Sequence, residues 1–350
     1  MLIYYLIIVF LCYLCVFESF GTKKFTRPLQ SFFPLLVLFP LAAFRSEDVG
    51  KDVSAYLKEF ENAKYQFDNN IRGWERGYES LIYFVNSLNL PFQFVLIIIA
   101  FFTLHSTYLL FKKYSSNIMF SYVIFFCFGS FAFALSGLRQ ALAICVSVYA
   151  VIQLLKNRYF IFILMILFAS LFHFSALFLL IVPIFLIFNF SRLGATVLFI
   201  ISCTFYFFPI DGIAEALLDI NFSYVRAYIG FEDGINPLVV ILNAFFPLTV
   251  LILAEKDFFI KKENRLFYLF SLANLAIVLV SIQLPMIARL GLYFSIFIAV
   301  LIPNVISSAR PAFIGPIAVA FFLLLGVLNF GISIPDNSIG IDQYSFMRSR

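Results

Sequence analysis

Apolar stretches long enough to cross a membrane follow one another along almost the whole chain. A helix needs about 20 apolar residues to cross the hydrocarbon of a bilayer, and about 17 to 25 is the usual range. Divided at their polar turns, the stretches predict about twelve spans, at residues 2–18, 29–44, 92–111, 118–135, 139–155, 159–172, 174–190, 194–209, 237–254, 266–284, 289–303 and 312–330. The sequence therefore predicts an all-α protein, a polytopic bundle of transmembrane helices.

Composition excludes a water-soluble protein. The 350 residues are 63% apolar and 12% charged, whereas soluble domains are roughly half apolar and about a quarter charged. The 50 phenylalanines and 18 tyrosines are spread over the whole length, so we expect residues 1–350 to form a single membrane domain. The net charge of +5 is divided among loops without a basic tract, which argues against a nucleic acid partner.

The first apolar segment and the cysteines carry no sign of processing or metal binding. No basic residue precedes the segment and no small-residue cleavage site follows it, so we expect it to remain as the first span. All five cysteines lie in apolar stretches, and Cys12-x-x-Cys15 has no second ligand pair. We interpret them as ordinary buried or lipid-facing thiols.

Basic residues give the predicted orientation. They collect in the short loops at alternate turns, which the positive-inside rule places in the cytoplasm, at Lys23, Lys24, Arg27, Lys112, Lys113, Lys156, Arg158, Arg192, Lys256, Lys261, Lys262, Arg265 and Arg310. The opposite side takes the long loops 45–91 and 210–236 and the tail from residue 331. We therefore expect both termini outside the cytoplasm.

Three apolar stretches of about 32 to 44 residues are too long for one span and must turn near their midpoints. The turns hold Arg139, His173 and Arg289, so all three side chains are predicted on the outer side. The spans beside His173 are short, which predicts that it is recessed from bulk water.

The first outer loop has the pattern of short helices. Asp52 is a candidate N-cap with a helix after it. Trp74 and Tyr78 lead into an amphipathic stripe of Leu81, Ile82, Phe84, Val85 and Leu88. This spacing predicts an interfacial helix with its two aromatic residues at headgroup level.

Two arginines are candidate anion ligands. Arg139 and Arg289 each open a span, where backbone N–H groups also point outward, and Tyr293 lies one turn after Arg289. Such a pair matches a pyrophosphate. The alternative for each is an arginine that anchors the helix at the interface.

The histidines have two interpretations. An imidazole can accept a proton from a hydroxyl near neutral pH, so His173 is a candidate general base; a structural role is equally open. For His105, beside Ser106 and Thr107, we favour a polar residue bonded within the bundle.

Charged residues also follow the second span directly. Arg45, Asp48 and Asp52 form a group in which a carboxylate can act as a base or bind sugar hydroxyls; a solvated helix cap is the alternative. The sequence has no Walker loop, no G-x-G-x-x-G, no H-E-x-x-H and no D-x-D on the inner side. Nucleotide-driven chemistry is therefore not expected, and neither is a metal or other cofactor.

The order of these motifs resembles the EpsG family, which belongs with the Wzy-type polymerases of capsule, exopolysaccharide and O-antigen. The resemblance covers roughly residues 1 to 330. It rests on Arg45 with Gly50-x-Asp52-x-x-x-Tyr56, Glu75-x-Gly77-Tyr78, Ser136-Gly137-Leu138-Arg139-Gln140-Ala141, Phe172-His173-Phe174-Ser175-Ala176 and Arg289-x-x-x-Tyr293.

The resemblance implies a glycosyltransferase on the outer face of the bacterial cytoplasmic membrane. A glycan on undecaprenyl pyrophosphate would pass to another lipid-linked repeat unit, with flippase and chain-length regulator proteins as possible partners. Arg139 and Arg289 would hold the pyrophosphate without a metal, and His173, or else Asp52, would be the base. The implied substrate contacts are Arg45, Asp48, Tyr56, Glu75, Tyr78, Gln140 and Tyr293.

Two other functions remain open at this point. A flippase for lipid-linked oligosaccharide would also present arginines to a pyrophosphate, but it should carry polar residues through to the inner side. A ligase that uses the same carrier lipid would differ only in its acceptor.

Overall fold

The computed structural model describes residues 2–20, 32–69, 75–207, 236–333 and 340–347. Within these ranges every regular element is a helix, apart from an isolated bridge between Arg45 and Phe346. The chain divides into two compact units, one formed by Met1–Ile181 with Pro316–Arg350 and the other by Val182–Gly315.

The first unit begins with the first two predicted spans and the predicted first outer loop. Its α-helices are α1 (Leu2–Phe20), α2 (Phe33–Ala43), α3 (Val53–Asp68), α4 (Arg76–Ser87), α5 (Gln93–Tyr114), α6 (Ile118–Cys127), α7 (Ser130–Ser136), α8 (Leu138–Leu155) and α9 (Tyr159–Ser170), and a 3₁₀ helix follows at Phe174–Ile181.

The second unit contains α10 (Val182–Phe185), α11 (Arg192–Thr204), α12 (Pro237–Leu253), α13 (Lys262–Ser281) and α14 (Ala288–Ser308). Short 3₁₀ helices lie at Phe205–Phe207, Phe258–Ile260 and Pro285–Ile287. The last helix, α15 (Ile314–Ser333), starts at the boundary and belongs mostly to the first unit.

Local sequence explains where several helices start and break. Asn117 and Asn236 cap α6 and α12, because their side chains accept hydrogen bonds from the N–H groups of Phe120 and Leu238. Pro237 suits the first position of α12, where no intrahelical donor is needed. Gly129, at φ +91°, separates α6 from α7, and the two helices are bent by 55°. The stretch predicted as one span at 118–135 is therefore a broken one.

Each predicted span coincides with helical structure, but the predicted number of membrane crossings is not confirmed. By length and composition, four helices of the described residues can cross a membrane, namely α5, α13, α14 and α15, and five can if the bent pair of α6 and α7 counts as one span. The remaining apolar helices are shorter. Residues 174–190, predicted as a regular span, instead form a 3₁₀ helix followed by the four-residue α10, so this stretch is not a continuous α-helix.

The helices of the predicted first outer loop pack against the first turns of α5 and α8. The apolar faces of α3 and α4 share a core with the starts of α5 and α8, made of Val53, Tyr56, Phe60, Tyr78, Ile82, Val85, Val95, Leu96, Leu138, Ala141 and Leu142. Tyr78 is fully buried in this core. Its ring lies 5.4 Å from that of Tyr56, and its predicted place at headgroup level stays a prediction. Trp74 and nearly all of loop 210–236 lie outside the described residues.

Within the second unit, α13 packs along α14, and α12 contacts both. Phenylalanine rings fill the interface, with centroids 5.4 Å apart for Phe267 and Phe297 and 4.8 Å apart for Phe270 and Phe297. At the C-terminal end of α12, the guanidinium of Arg192 donates to the carbonyls of Leu251 and Ile252. Cations stabilise helix C-termini, where carbonyls lack intrahelical partners.

The C-terminal tail joins the first outer loop. The N–H groups of Ser46 and Gly50 donate to the carbonyls of Ser345 and Gly340 at 2.8 Å each. The hydroxyl of Tyr344 donates to the carbonyl of Leu41 at 2.9 Å. Both segments are predicted to be on the outer side, and their contact agrees with a common side.

Candidate active site

Glu75 lies directly before α4 with an extended backbone, at φ −72° and ψ 136°. Its position depends on Gly77, whose N–H donates to the carbonyl of Leu171 at 2.8 Å. A Cβ on Gly77 would lie 2.7 Å from that carbonyl oxygen, so only glycine permits so close an approach. The start of α4 is thereby held against the turn after α9, which contains His173.

A second close approach brings in the turn between α7 and α8. Gly50, at φ +108°, lies so near this turn that a Cβ would be 2.6 Å from the carbonyl oxygen of Leu135. Beside it, the N–H of Asp52 donates to the hydroxyl of Ser136 at 3.3 Å. The beginning of α8, with Arg139 in its first turn, is thus fixed to the first outer loop.

The carboxylate of Glu75 contacts two of the residues predicted to be functional, Arg139 and His173. Its Oε2 accepts a charged hydrogen bond from Nη1 of Arg139. Its Oε1 lies 3.0 Å from Nδ1 of His173 and accepts from the N–H of Phe174 at 3.2 Å. Arg139 and His173, predicted from separate hairpin tips to share one side, therefore meet through a third residue.

All three side chains are recessed but reachable from outside the protein. The exposed fractions are 15% for Arg139, 20% for Glu75 and 14% for His173. Charges in such a position interact more strongly than in water, because little solvent remains to screen them. We name this group the Glu75 cluster.

The charge state of Glu75 follows from two opposing effects. Burial favours the neutral carboxyl, but the hydrogen bond with His173 and the positive charge of Arg139 outweigh it and lower the pKa of Glu75 to about 2. The carboxylate is therefore ionised at physiological pH and can only accept hydrogen bonds.

Aromatic side chains line the buried side of the cluster. The guanidinium carbon of Arg139 lies 5.9 Å from the ring centroid of Tyr56, a cation–π distance. The Tyr56 ring is in turn 5.4 Å from that of Tyr78. Tyr56, Tyr78 and Gln140 are 5%, 0% and 3% exposed, so a ligand at the cluster would reach Arg139, Glu75 and His173 first.

Arg45, predicted as a substrate contact, is buried among main-chain groups. It is 1% exposed, and its guanidinium donates to the carbonyls of Ala42, Val49 and Leu135. Burial lowers its pKa to about 10, which still leaves it charged at neutral pH. This placement favours a structural role, in which Arg45 joins the end of α2 to the α7–α8 turn.

The predicted charged group of Arg45, Asp48 and Asp52 does not form as an ion-paired set among the described residues. Asp48 is exposed and bonds to the hydroxyl of Ser46 at 3.1 Å. Asp52 precedes α3 as predicted, but its side chain makes no capping hydrogen bond. Arg45 donates to the carbonyls of Ala42, Val49 and Leu135 instead, as buried acceptors require a donor.

The remaining candidates belong to other helices. Arg289 is the second residue of α14 in the second unit, half-buried, and Tyr293, one turn later, is 1% exposed. His105 is in the middle of α5, where Nδ1 lies 2.6 Å from the hydroxyl of Tyr149. That contact fits the predicted structural role of a histidine bonded within the helices.

The bridging position of Glu75 is the feature that sequence reasoning missed. The sequence predicts Glu75 only as a substrate contact, whereas its carboxylate joins Arg139 and His173. The available signal was Glu75-x-Gly77: an acidic residue two positions before a glycine that opens a helix suggests a close backbone approach.

The cluster combines three chemical capacities. A guanidinium can hold a phosphate oxygen, an imidazole can accept a proton from a hydroxyl, and a carboxylate can orient both. This set suits transfer of a group from a phosphate leaving group to a hydroxyl acceptor.

Comparison with known proteins gives one match. The model of the EpsG family matches residues 28–346, a range that includes every residue of the Glu75 cluster. No curated protein and no solved structure matches the chain.

Proposed function

The chain belongs to the EpsG family, which makes it a membrane protein of polysaccharide synthesis, and we propose that it is the polymerase of that synthesis. In this proposal it joins lipid-linked repeat units into a surface polysaccharide on the outer face of the bacterial cytoplasmic membrane. The donor is a glycan on undecaprenyl pyrophosphate, and the acceptor is the sugar end of a second lipid-linked unit.

The meeting of Arg139 and His173 at Glu75 is the observation that carries the proposal. The three residues come from different segments, each predicted on the outer side by the charge of the loops. A polymerase that uses a lipid pyrophosphate needs a cation and a base together near the outer headgroups, and this cluster supplies both.

The proposed reaction forms one glycosidic bond and breaks one glycosyl phosphate bond. A hydroxyl of the acceptor attacks the anomeric carbon of the donor, and its proton passes to the imidazole of His173. The bond from that carbon to the pyrophosphate oxygen breaks, and undecaprenyl pyrophosphate leaves with the electron pair. Arg139 stabilises the negative charge that develops on this leaving group.

Other predicted roles also belong to the proposal. Asp52 is the alternative base, and Asp48 is a candidate for sugar hydroxyls at the exposed edge of the loop. Arg289, with Tyr293, is a separate proposed contact for the pyrophosphate. About twelve crossings, with both termini outside, is the topology that accompanies these assignments.

The proposal is tested by the length of surface polysaccharide in a deletion strain carrying wild type, Arg139→Ala or His173→Ala. Exposed Arg76 and the second histidine, His105, offer matched controls as Arg76→Ala and His105→Ala. We expect single repeat units at the surface for Arg139→Ala and His173→Ala, and full-length polymer for wild type and the two controls.

Other outcomes distinguish the alternatives. Repeat units trapped on the inner side would indicate a flippase, and long polymer left on the carrier lipid would indicate a ligase. Full-length polymer from Arg139→Ala and His173→Ala at normal protein abundance would remove the proposed site.

A further inference from the structure

We propose that Glu75 is a positioning residue that fixes the tautomer of His173, so that Nε2 is the atom that accepts the proton of the acceptor hydroxyl. This inference rests on the proposed function for its last step only. The assignment of the tautomer follows from the hydrogen bonds around Glu75 alone.

The carboxylate accepts hydrogen bonds from two groups besides His173 and has no proton to give. Arg139 donates to Oε2, and the N–H of Phe174 donates to Oε1. Because the carboxylate is ionised, the 3.0 Å contact with His173 is a hydrogen bond only if Nδ1 carries the hydrogen. In a neutral imidazole the lone pair is then on Nε2.

The geometry also holds the ring in place. Glu75 Oε1 binds the ring of His173 and the next backbone N–H at once, so a rotation of the ring would break the first bond while the second keeps the turn where it is. The hydrogen bond from Gly77 to Leu171 fixes the same two segments one step away. The orientation of the ring is thus determined by backbone as well as side-chain contacts.

The two oxygens of Glu75 serve different partners. Arg139 is bound at Oε2, whereas His173 is bound at Oε1. An anion that draws Arg139 towards itself therefore removes a donor from Oε2 and leaves the bond to His173. We expect the tautomer to be the same in the empty site and with pyrophosphate bound.

This role differs from that of a substrate contact. A residue that binds the glycan should raise KM for the lipid-linked donor when it is removed, whereas one that orients the base should lower kcat. The charge of Glu75 also opposes binding of an anion beside it. Glu75→Gln should therefore not raise KM, while kcat falls by ~10²-fold or more.

The test is nitrogen NMR of the full chain with ¹⁵N-labelled histidine rings in lipid nanodiscs. The chain has two histidines, so a His105→Gln background leaves the signal of His173 alone. We expect the Nδ1-protonated tautomer in this background, unchanged when inorganic pyrophosphate is added. With Glu75→Gln added we expect a mixture that includes the Nε2-protonated form, and with Glu75→Asp a partial return.

A proton on Nε2 in the chain that retains Glu75 would overturn the inference, and this reading requires no Glu75 variant to fold. An unchanged tautomer in Glu75→Gln would also overturn it, as would a raised KM with kcat unaltered. If NMR finds the hydrogen on Nε2 while Arg139→Ala and His173→Ala still abolish polymer, only this inference fails. If NMR finds the hydrogen on Nδ1 but Arg139→Ala and His173→Ala still make polymer, the proposed function fails instead.

Discussion

The Nδ1 atom of His173 lies 3.0 Å from Oε1 of Glu75, although 98 residues separate them in sequence. Residues so far apart in sequence can meet here because the hydrogen bond from Gly77 to Leu171 holds the segment before α4 against the segment after α9. The Glu75 cluster thus depends on packing between the start of α4 and the turn after α9, and several predictions address this dependence.

Acidification should bring the Tm of wild type closer to that of Glu75→Gln within a defined pH window. Surroundings that favour the ionised form lower the pKa of Glu75 from its ordinary value of 4.5 to about 2. A lowered pKa in the folded state stabilises the fold above the unfolded value, and this contribution is lost as pH falls through the folded value. The difference in Tm between wild type and Glu75→Gln should therefore shrink as pH falls from about 4.5 to about 2.

The control is Glu61→Gln, at an exposed position on α3. Thermal unfolding of the purified proteins in detergent gives both differences. A gap between wild type and Glu75→Gln that is independent of pH down to about 2 would contradict the ionised pairing.

Gly77→Ala should separate α4 from the turn that carries His173. The new Cβ would be 2.7 Å from the carbonyl oxygen of Leu171 and 2.9 Å from its Cβ, so the backbone must shift. Overpacking of this kind costs ~1–3 kcal/mol. We expect a lower Tm together with a loss of polymer, measured on the same preparation.

Gly315→Ala is the matched control, because its added Cβ would meet only the carbonyl oxygen of Ile306 at an ordinary 3.6 Å. If Gly77→Ala matched this control in both Tm and polymer, the close approach would not be needed for the cluster.

Arg45→Met should lower the stability of the fold rather than act directly on polymer synthesis. The methionine leaves the carbonyls of Ala42, Val49 and Leu135 without their donor, and each buried acceptor left unsatisfied costs ~1–3 kcal/mol. We expect low abundance in the membrane and a reduced Tm, with Arg76→Met as the exposed control. A variant of normal stability that makes no polymer would show that Arg45 contacts substrate, as its sequence motif suggested.

Arg289→Ala tests the proposed contact in the second unit by itself. Loss of one cation that stabilises a leaving group costs ~10²–10³-fold in rate. We expect polymer synthesis to fall by that order at unchanged Tm, whereas Arg310→Ala, at an exposed position of the same unit, should retain activity. Equal activity of the two variants would exclude Arg289 from the reaction.

The sequence predicted the helices well because hydropathy is a local property. Each apolar stretch contains helical structure, with ends close to the expected ones in cases such as α5 and α8. The break at Gly129 was not predicted, since one glycine in an apolar run is compatible with a continuous helix. The 3₁₀ helix after His173 was missed because apolar composition does not distinguish it from an α-helix.

The sequence did not predict the contacts between distant segments that form the site. The alternation of basic loops was enough to predict that Arg139 and His173 share one side, since it depends only on counting turns. The bridging role of Glu75 and the burial of Arg45 depend on segments about 60 to 100 residues apart, and charge next to a span predicts exposure by default. Both required the structure.

The central claim is that Arg139 and His173 act together on a lipid pyrophosphate, and reconstitution tests it most directly. Purified protein in liposomes would be given undecaprenyl-pyrophosphate-linked repeat units, and product length would be followed over time for wild type, Arg139→Ala, His173→Ala and His105→Ala. The account predicts chain extension with release of undecaprenyl pyrophosphate by wild type and His105→Ala, and rates at least ~10²-fold lower for the other two. Extension by Arg139→Ala and His173→Ala at the wild-type rate would contradict it.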